Sequence, residues 1–295
     1  MRQTGPRRRA SLVVPAAPAS KLAKGAVLVA DEVVLDLEDA VVPAAKDDAR
    51  SAIAAALGGE WAAPAVAVRV NAIGSPWCHL DLAALAQSGR AALTAVVPKV
   101  EHPHDLAFAD RLLDGAEAAA GRRQPVRLLA LIETAAGLSA AGEIARASTR
   151  LDGLILGYAD LAASLGRPGG GGPQEWRFAQ DALLVAARAA GIQAIDGPHL
   201  GVRDDDGFRA SVAHARSLGF DGKWAIHPAQ IETLRDAFTP TEDEVAEARA
   251  TLEVLRAAAA AGSGAVAAGD RMLDEALALS ARRVLARAEA GSASR

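Results

Sequence analysis

Charged and amide side chains recur in this chain where short apolar runs end. They follow six such runs, as Asp36-Leu37-Glu38-Asp39, Arg69-Val70-Asn71, Lys99-Val100-Glu101, Glu133-Thr134, Asp160 and Asp196. At any single position a solvated loop would explain a charge equally well. Their recurrence after six runs favours one site that is assembled from the ends of several strands.

Several carboxylates that converge on one rim repel each other unless a cation neutralises them. Ligand sets made only of oxygen select hard ions, so the pattern predicts Mg²⁺, with Mn²⁺ as the alternative. Other chemistries have weaker support in the sequence. The six histidines lack the paired helical spacing of zinc sites, His227 is typical of a hydrogen-bonded structural imidazole, and no serine stands in a nucleophile-elbow context.

The elements that must position these residues alternate between short strands and longer helices. Eight runs rich in Val, Leu and Ile have the pattern of βα units, namely Leu12–Pro15, Val33–Leu37, Ala65–Val70, Leu93–Pro98, Leu128–Ile132, Gly153–Leu156, Gln193–Ile195 and Lys223–Ile226. Helical patterns lie between and after them, including Lys46–Leu57, His104–Ala119, Ala136–Ala147, Glu175–Ala190 and Gly207–Leu218. We therefore predict a (β/α)8 TIM barrel, whose active site would lie at the carboxyl ends of the strands.

The open doubly wound sheet is the alternative fold, but the chain has no glycine-rich dinucleotide turn after its first strand. Gly169–Gly172 lies between two prolines and is typical of a flexible loop. After Thr239-Pro240 the chain changes character, with a charged helix at Glu242–Ala260, a Gly/Ala/Ser hinge at Gly262–Gly269 and a final helix at Leu273–Ala288. We predict a barrel over 1–238 and a C-terminal helical extension over 239–295 that packs on a neighbouring subunit.

Composition excludes several classes of protein. A net charge of −4 gives no reason to expect a nucleic-acid partner, and no run reaches the roughly 18 apolar residues of a membrane-spanning helix. The single cysteine, Cys78, excludes an internal disulfide and is consistent with a cytoplasmic location. The basic Arg7–Arg9 and the apolar Ala10–Ala19 resemble a secretory signal superficially, but Pro15 and Pro18 favour a first strand instead.

Ten short motifs in order resemble the citrate lyase β-subunit-like family of the HpcH/HpaI aldolase/citrate lyase superfamily, which includes malyl-CoA and citramalyl-CoA lyases. Each motif is weak alone, but together they span about residues 9 to 285. They are Arg9-Ala-Ser-Leu-Val-Val-Pro15, Asp36-Leu-Glu-Asp-Ala40, Lys46 to Arg50, Arg69-Val-Asn71, Pro98-Lys-Val-Glu101, Leu131-Ile-Glu-Thr134, Gly157-Tyr-Ala-Asp-Leu161, Gly219-Phe-Asp-Gly-Lys223, Ile226-His-Pro-Ala-Gln230 and Met272-Leu-Asp274.

The resemblance implies a carbon–carbon lyase and a role for each matching residue. It implies that Glu133 and Asp160 bind Mg²⁺, and that Arg69 binds the carboxylate of the substrate. It also implies that Glu38 and Asp39 hold metal-bound waters. Asp274 would act as an acid/base in the active site of a neighbouring subunit, within a homotrimer or homohexamer.

One region departs from the family pattern. Where the family has Val-Pro-Gly followed by Arg, this chain has Val14-Pro15 and then Ala16 to Lys21, without that glycine and arginine. In the family this region helps to hold coenzyme A, and here Lys21 and Lys24 are the candidates for its phosphates. The hypotheses left open are a lyase acting on a 3-hydroxydicarboxylyl-CoA, a CoA-independent aldolase, a hydroxyacyl-CoA thioesterase and a non-catalytic subunit of a lyase complex.

Overall fold

The structure is a computed structural model that describes residues 5–168, 173–268 and 271–292. Within these residues, eight parallel strands form a closed barrel in chain order. They are β1 Ala10–Pro15, β2 Glu32–Asp36, β3 Ala65–Arg69, β4 Thr94–Val97, β5 Arg127–Ile132, β6 Leu151–Leu156, β7 Gln193–Asp196 and β8 Gly222–Ala225. The predicted (β/α)8 barrel is confirmed, and β8 closes it by pairing Lys223 with Ala10 of β1.

Alternating side chains of the strands fill the barrel interior. Val34, Ala67, Val96, Leu129, Leu131, Ile155, Ile195 and Trp224 form one buried cluster. Seven of these eight residues are aliphatic, as the low aromatic content of the sequence requires. Because alternate residues of a strand face opposite sides, their chain neighbours face the surrounding helices.

Helices surround the strands. They are α1 Ala19–Ala26, α2 Lys46–Leu57, α3 Cys78–Gln87, α4 Pro103–Ala120, α5 Ala135–Ser139, α6 Ala141–Ile144, α7 Tyr158–Ser164, α8 Pro173–Ala190, α9 Asp206–Leu218 and α10 Ile231–Ala237. Short 3-10 turns at Pro43–Ala45 and Pro228–Gln230 precede α2 and α10. The single helix predicted at Ala136–Ala147 is two short helices, which meet at Ala140.

The amino end of the barrel is closed by a buried arginine. The Arg8 guanidinium donates hydrogen bonds to Glu32 Oε1 (2.7 Å), Thr94 Oγ1 (3.2 Å) and Gln193 Oε1 (3.3 Å), and its side chain is fully buried. These partners lie at the starts of β2, β4 and β7. One side chain therefore joins strands from opposite parts of the chain.

The chain divides into two compact units, Met1–Arg235 and Asp236–Arg295. In the second unit, α11 Glu242–Ala260 packs against α12 Glu275–Ser292. Thr241 caps α11, because its hydroxyl accepts the Glu244 N–H while the Glu244 carboxylate accepts the Thr241 N–H. The segment predicted as a Gly/Ala/Ser hinge contains β9 Val266–Ala268, which pairs antiparallel with β10 Arg271–Leu273.

The Gly169–Gly172 loop lies outside the described residues. Among the helices of the described chain, none has the length and apolar character that crossing a membrane requires.

Candidate active site

The carboxyl ends of β2 to β6 bring seven of the predicted residues to one edge of the barrel, whereas Asp196, at the end of β7, faces the surrounding helices. Asp36 ends β2 and Arg69 ends β3, while Lys99, Glu133 and Asp160 follow β4, β5 and β6 closely. Parallel strands end on the same side, so five consecutive strands contribute to one cluster. Glu38 and Asp39, just after β2, complete it.

Arg69 is held by Asp36 through two hydrogen bonds. Its Nε donates to Asp36 Oδ1 at 2.8 Å, and its Nη2 donates to Asp36 Oδ2 at 2.7 Å. The remaining nitrogen, Nη1, lies 2.9 Å from Glu38 Oε2 and 3.4 Å from Asp39 Oδ2. Burial alone would lower the pKa of Arg69, but the hydrogen bonds and charge of Asp36 outweigh it and raise that pKa. Arg69 is therefore a fixed positive charge whose Nη1 faces the cluster.

Lys99 contacts the cluster through both its backbone and its side chain. Its φ is +50°, a left-handed conformation that costs a non-glycine residue roughly 1–2 kcal/mol. In this conformation the Lys99 N–H donates to Glu133 Oε1 at 2.9 Å, and Nζ donates to Glu38 Oε1 at 2.5 Å. Nζ also lies 3.8 Å from Asp39 Oδ1 and 3.8 Å from Asp160 Oδ1. Backbone strain of this kind is concentrated at functional sites.

Within the cluster, Glu133 is the carboxylate whose ionised form the surroundings disfavour most. Burial, together with the charges of Glu38 and Asp160, raises its pKa to about 8, although Arg69 and Lys99 act in the opposite direction. Burial also raises the pKa of Glu38. Glu38 Oε2 approaches Arg69 Nη1, but in the described structure it has no hydrogen-bond partner of adequate geometry. In this cluster two cationic side chains, Arg69 and Lys99, thus face five carboxylates, those of Asp36, Glu38, Asp39, Glu133 and Asp160.

Gly157, at the end of β6, leaves the space that the Glu133 carboxylate occupies. A Cβ at Gly157 would lie 2.6 Å from both Glu133 Oε2 and Glu133 Cβ. Asp160 follows in the first turn of α7, and 38% of its side chain is exposed. A buried and a half-exposed carboxylate therefore face one edge of the barrel from adjacent strands.

These two carboxylates fit Mg²⁺ by their chemistry. Across the described residues, no three histidine, cysteine, aspartate or glutamate side chains are grouped as a complete metal cage. Mg²⁺ does not need such a cage, because it usually keeps several waters and takes one or two carboxylates from the protein. Glu133 and Asp160 supply that number of oxygen ligands, and the Glu38 carboxylate lies in the same cluster.

The family model for HpcH/HpaI aldolase/citrate lyase matches residues 9–228. The chain belongs to this family. It is 38% identical to L-malyl-CoA/beta-methylmalyl-CoA lyase from Cereibacter sphaeroides, over 97% of this chain and 96% of that protein. It is also 38% identical to citrate lyase subunit beta from Escherichia coli K12, over 96% of this chain and 93% of that protein.

Solved structures of the family have the same architecture. The CitE protein of Mycobacterium tuberculosis, in complex with magnesium, acetoacetate and coenzyme A, is 32% identical with a TM-score of 0.76, and the match covers 98% of this chain and 100% of that one. A citrate lyase from Burkholderia xenovorans is 25% identical with a TM-score of 0.84, covering 97% and 92% of the two chains.

Lys46 and Arg50, which belong to one of the family motifs, hold the backbone around the cluster in place. Sequence reasoning had given them no role. Lys46 donates from Nζ to the carbonyls of Leu37 and Glu38, both at 2.7 Å, and its ammonium lies 5.5 Å from the centre of the Trp77 ring. Arg50 pairs with Asp81, which in turn accepts hydrogen bonds from the backbone and side-chain amides of Asn71. Both residues are on α2, which therefore fixes the segments that follow β2 and β3.

The remaining predicted residues lie elsewhere. Lys21 and Lys24 are exposed on α1, the helix that begins after β1. Asp274 belongs to the second unit, where its Oδ1 accepts the N–H groups of Ala276 (3.0 Å) and Leu277 (3.2 Å) at the start of α12. That contact is a helix cap, and the catalytic role of Asp274 stays a prediction. The His227 imidazole accepts the Ala229 N–H, which agrees with the structural role expected for it.

Proposed function

We propose that this protein is a Mg²⁺-dependent carbon–carbon lyase of the citrate lyase β-subunit type. It would cleave, or form, a short 3-hydroxydicarboxylyl-CoA such as malyl-, citramalyl- or citryl-CoA, giving an acyl-CoA and an α-keto acid. The observation that carries the proposal is the placement of Glu133 and Asp160 on adjacent strand ends, beside Arg69. The named activities of relatives at 38% identity over nearly the whole chain support it.

Glu133 and Asp160 would hold the metal, and Glu38 and Asp39 would hold its waters. Bound Mg²⁺ would supply positive charge where negative charge develops on the oxygens of the substrate. Mn²⁺ has similar preferences and could replace it. The surplus of carboxylates over cations in the cluster supports this assignment, because a divalent cation would stabilise the ionised form of Glu133, which burial and the charges of Glu38 and Asp160 disfavour.

Cleavage breaks the bond between the second and third carbons of the hydroxyacyl thioester. The hydroxyl proton leaves, the hydroxyl carbon becomes the keto group, and the bonding electron pair remains on the thioester as an enolate that must then take up a proton. Arg69 would stabilise the keto-acid oxygens through Nη1, which faces the cluster beside Glu38 while its other edge is held by Asp36. We assign the proton transfer to Asp274 of a neighbouring subunit, within a homotrimer or homohexamer.

The phosphates of coenzyme A would bind to the positive charges near the first strand. Lys21 and Lys24 are exposed on α1, which begins at the edge of the barrel where the carboxylates lie. A crystallised relative is in complex with coenzyme A. The altered segment after Pro15 favours a second candidate, an aldolase that acts on a free hydroxy-keto acid without CoA.

The test is a screen of purified protein with Mg²⁺ against malyl-, citramalyl- and citryl-CoA, in which keto acid and free thiol are measured separately. We expect keto acid without thiol, and loss of the activity in Glu133→Gln and Asp160→Asn. Thiol release without keto acid would instead indicate a thioesterase. Keto acid only from CoA-free substrates would indicate the aldolase, and no turnover at all would favour a non-catalytic subunit.

A further inference from the structure

A buried polar network lies just outside the barrel wall, behind α7. Asp196 follows Ile195 of the interior cluster, and Lys223 precedes Trp224 of the same cluster, so both side chains face the helices. The two residues are register partners on β7 and β8, and their side chains are each 2% exposed. Lys223 Nζ donates to Asp196 Oδ2 at 2.5 Å and to the Gly197 carbonyl at 2.7 Å.

Tyr158 connects this network to the candidate active site. Its hydroxyl donates to Asp196 Oδ1 at 2.5 Å and accepts a hydrogen bond from Gln180 Nε2 at 2.7 Å. The Trp176 ring meets the Tyr158 ring edge-on, with the ring centres 5.2 Å apart. The Lys223 ammonium lies 5.9 Å from the centre of the Tyr158 ring. Four neighbours from β7, β8 and α8 therefore fix one side chain.

The backbone around Tyr158 is also shaped for this arrangement. A Cβ at Gly197 would lie 2.1 Å from the Leu156 carbonyl oxygen and 2.9 Å from Tyr158 Cδ2, so only glycine leaves room for the ring at this point. Gly157, immediately before Tyr158, is packed against Glu133. The start of α7 is thus held on one side by the metal-site carboxylate and on the other by the buried network.

We propose that Tyr158 is a positioning residue that fixes the first turn of α7 and thereby holds Asp160 where it can share a cation with Glu133. Tyr158 is the first residue of α7 and Asp160 is the third. Asp160 is half exposed, and its ion pair with Lys99 spans 3.8 Å. Its position is therefore set chiefly by the helix turn that carries it. This inference rests on the proposed function, because it needs Asp160 to be a metal ligand.

The inference also accounts for two family motifs that the proposed chemistry leaves unused. The tyrosine of Gly157-Tyr-Ala-Asp-Leu161 and the lysine of Gly219-Phe-Asp-Gly-Lys223 meet at the same aspartate. Outer groups that orient metal ligands commonly change metal affinity by about 10- to 100-fold when they are removed. A network that merely stabilised the barrel would not have this effect.

The experiment compares Tyr158→Phe with Ser11→Ala. Each variant removes one hydroxyl that donates to a buried carboxylate, but Ser11 does so at the amino end of the barrel, where its Oγ donates to Glu32 at 3.0 Å. Mn²⁺ affinity is measured by electron paramagnetic resonance, and hydrogen exchange of the α7 amides is measured on metal-free protein. We expect Tyr158→Phe to weaken Mn²⁺ binding about 10-fold and to speed α7 exchange, with neither change in Ser11→Ala.

If Tyr158→Phe does not fold, Gln180→Met tests the same contact, because it removes the donor to the Tyr158 hydroxyl and leaves the bond to Asp196. We expect a smaller change in the same direction. Normal Mn²⁺ affinity in both variants, or an equal loss in Ser11→Ala, overturns the inference while wild-type binding and its loss in Asp160→Asn uphold the metal site. If wild-type protein does not bind Mn²⁺, the proposed function fails and the inference fails with it.

Discussion

Glu133 illustrates how one buried carboxylate links the proposed metal site to the stability of the fold. Its pKa is about 8 in the folded chain, against an ordinary value of 4.5. Below pH 4.5 the Glu133 carboxyl is protonated in both the folded and the unfolded state. Between pH 4.5 and 8 the unfolded state loses its proton while the folded state keeps it, so rising pH should destabilise the metal-free fold. Above pH 8 this effect is constant.

We therefore predict that Glu133→Gln gains stability over the wild type in chelator-treated protein as pH rises from 5 to 8. Each unit of pKa shift corresponds to about 1.4 kcal/mol, so the gain should reach a few kcal/mol at most. Urea unfolding at several pH values measures it. With saturating Mg²⁺ the order should reverse, since only the wild type keeps both ligands. Parallel stability curves for the two metal-free proteins would contradict this prediction.

Arg69 tests whether geometry or charge matters in the cluster. Arg69→Lys keeps the charge, but one ammonium cannot hold Asp36 through two parallel hydrogen bonds and also reach Glu38. We expect kcat/KM to fall about 100-fold or more, with a moderate loss of thermal stability. Near-normal turnover combined with lower stability would make Arg69 a structural partner of Asp36.

Sequence reasoning named the two lysines of the site but gave neither of them a role. Lys99 stood at a predicted strand end, but its left-handed backbone could not be read from the sequence, because lysine rarely adopts that conformation. Lys46 stood at the start of a helix, where a lysine usually lies in solvent. Its burial depends on the Leu37 and Glu38 carbonyls, which only the folded loop brings within reach. Glu133, Asp160, Arg69 and Glu38 lie in one cluster because the ends of parallel strands meet at one edge, and their roles stay predictions.

At the scale of elements, long periodic segments were predicted best. The bounds of α2 and α11 match the structure, and the strands agree to within two residues. The helices that the sequence analysis did not name, α1, α3, α7 and α10, have ten residues or fewer, so their patterns span too few turns to be distinct. The segment Gly262–Gly269, which contains the strand β9, was predicted as a hinge because its Gly- and Ala-rich composition is typical of linkers.

The junction of β6 and α7 offers a test at this scale. Gly157→Ala places a Cβ against Glu133, so the strand end or the carboxylate must move. We predict at least a tenfold loss of Mg²⁺ affinity, measured by calorimetry. Gly142→Ala is the matched control, because the added Cβ meets nothing within 4 Å and alanine favours the helix there. Equal Mg²⁺ affinity in the two variants would mean that Gly157 does not shape the site.

At the scale of the whole molecule, the prediction is that active sites are shared between subunits. Asp274→Ala and Arg69→Ala should each be inactive alone. When the two variants are assembled together, some sites should combine an intact Arg69 with an intact Asp274, so part of the activity should return. The steady-state rate of mixed oligomers, compared with each variant alone, measures this recovery.

The helix cap formed by Asp274 supplies a control for that experiment. Asp274→Asn keeps an oxygen that can accept the Ala276 and Leu277 N–H groups but is a poor acid/base. It should therefore be as stable as the wild type and as inactive as Asp274→Ala. Full activity in Asp274→Asn, or no recovery in mixed oligomers, would restrict Asp274 to capping α12.

The pairing of β1 with β8 has a consequence for how the protein is made. Ala10 leaves the ribosome about 200 residues before its partner Lys223, which at roughly 5–20 residues per second is a delay of some ten to forty seconds. Arg8 must wait nearly as long for Gln193. During this interval one edge of the first strand is unpaired, and Arg8, which is buried in the finished barrel, lacks Gln193 as a partner. Chaperones that bind nascent chains should therefore engage the N-terminal segment until the eighth strand emerges.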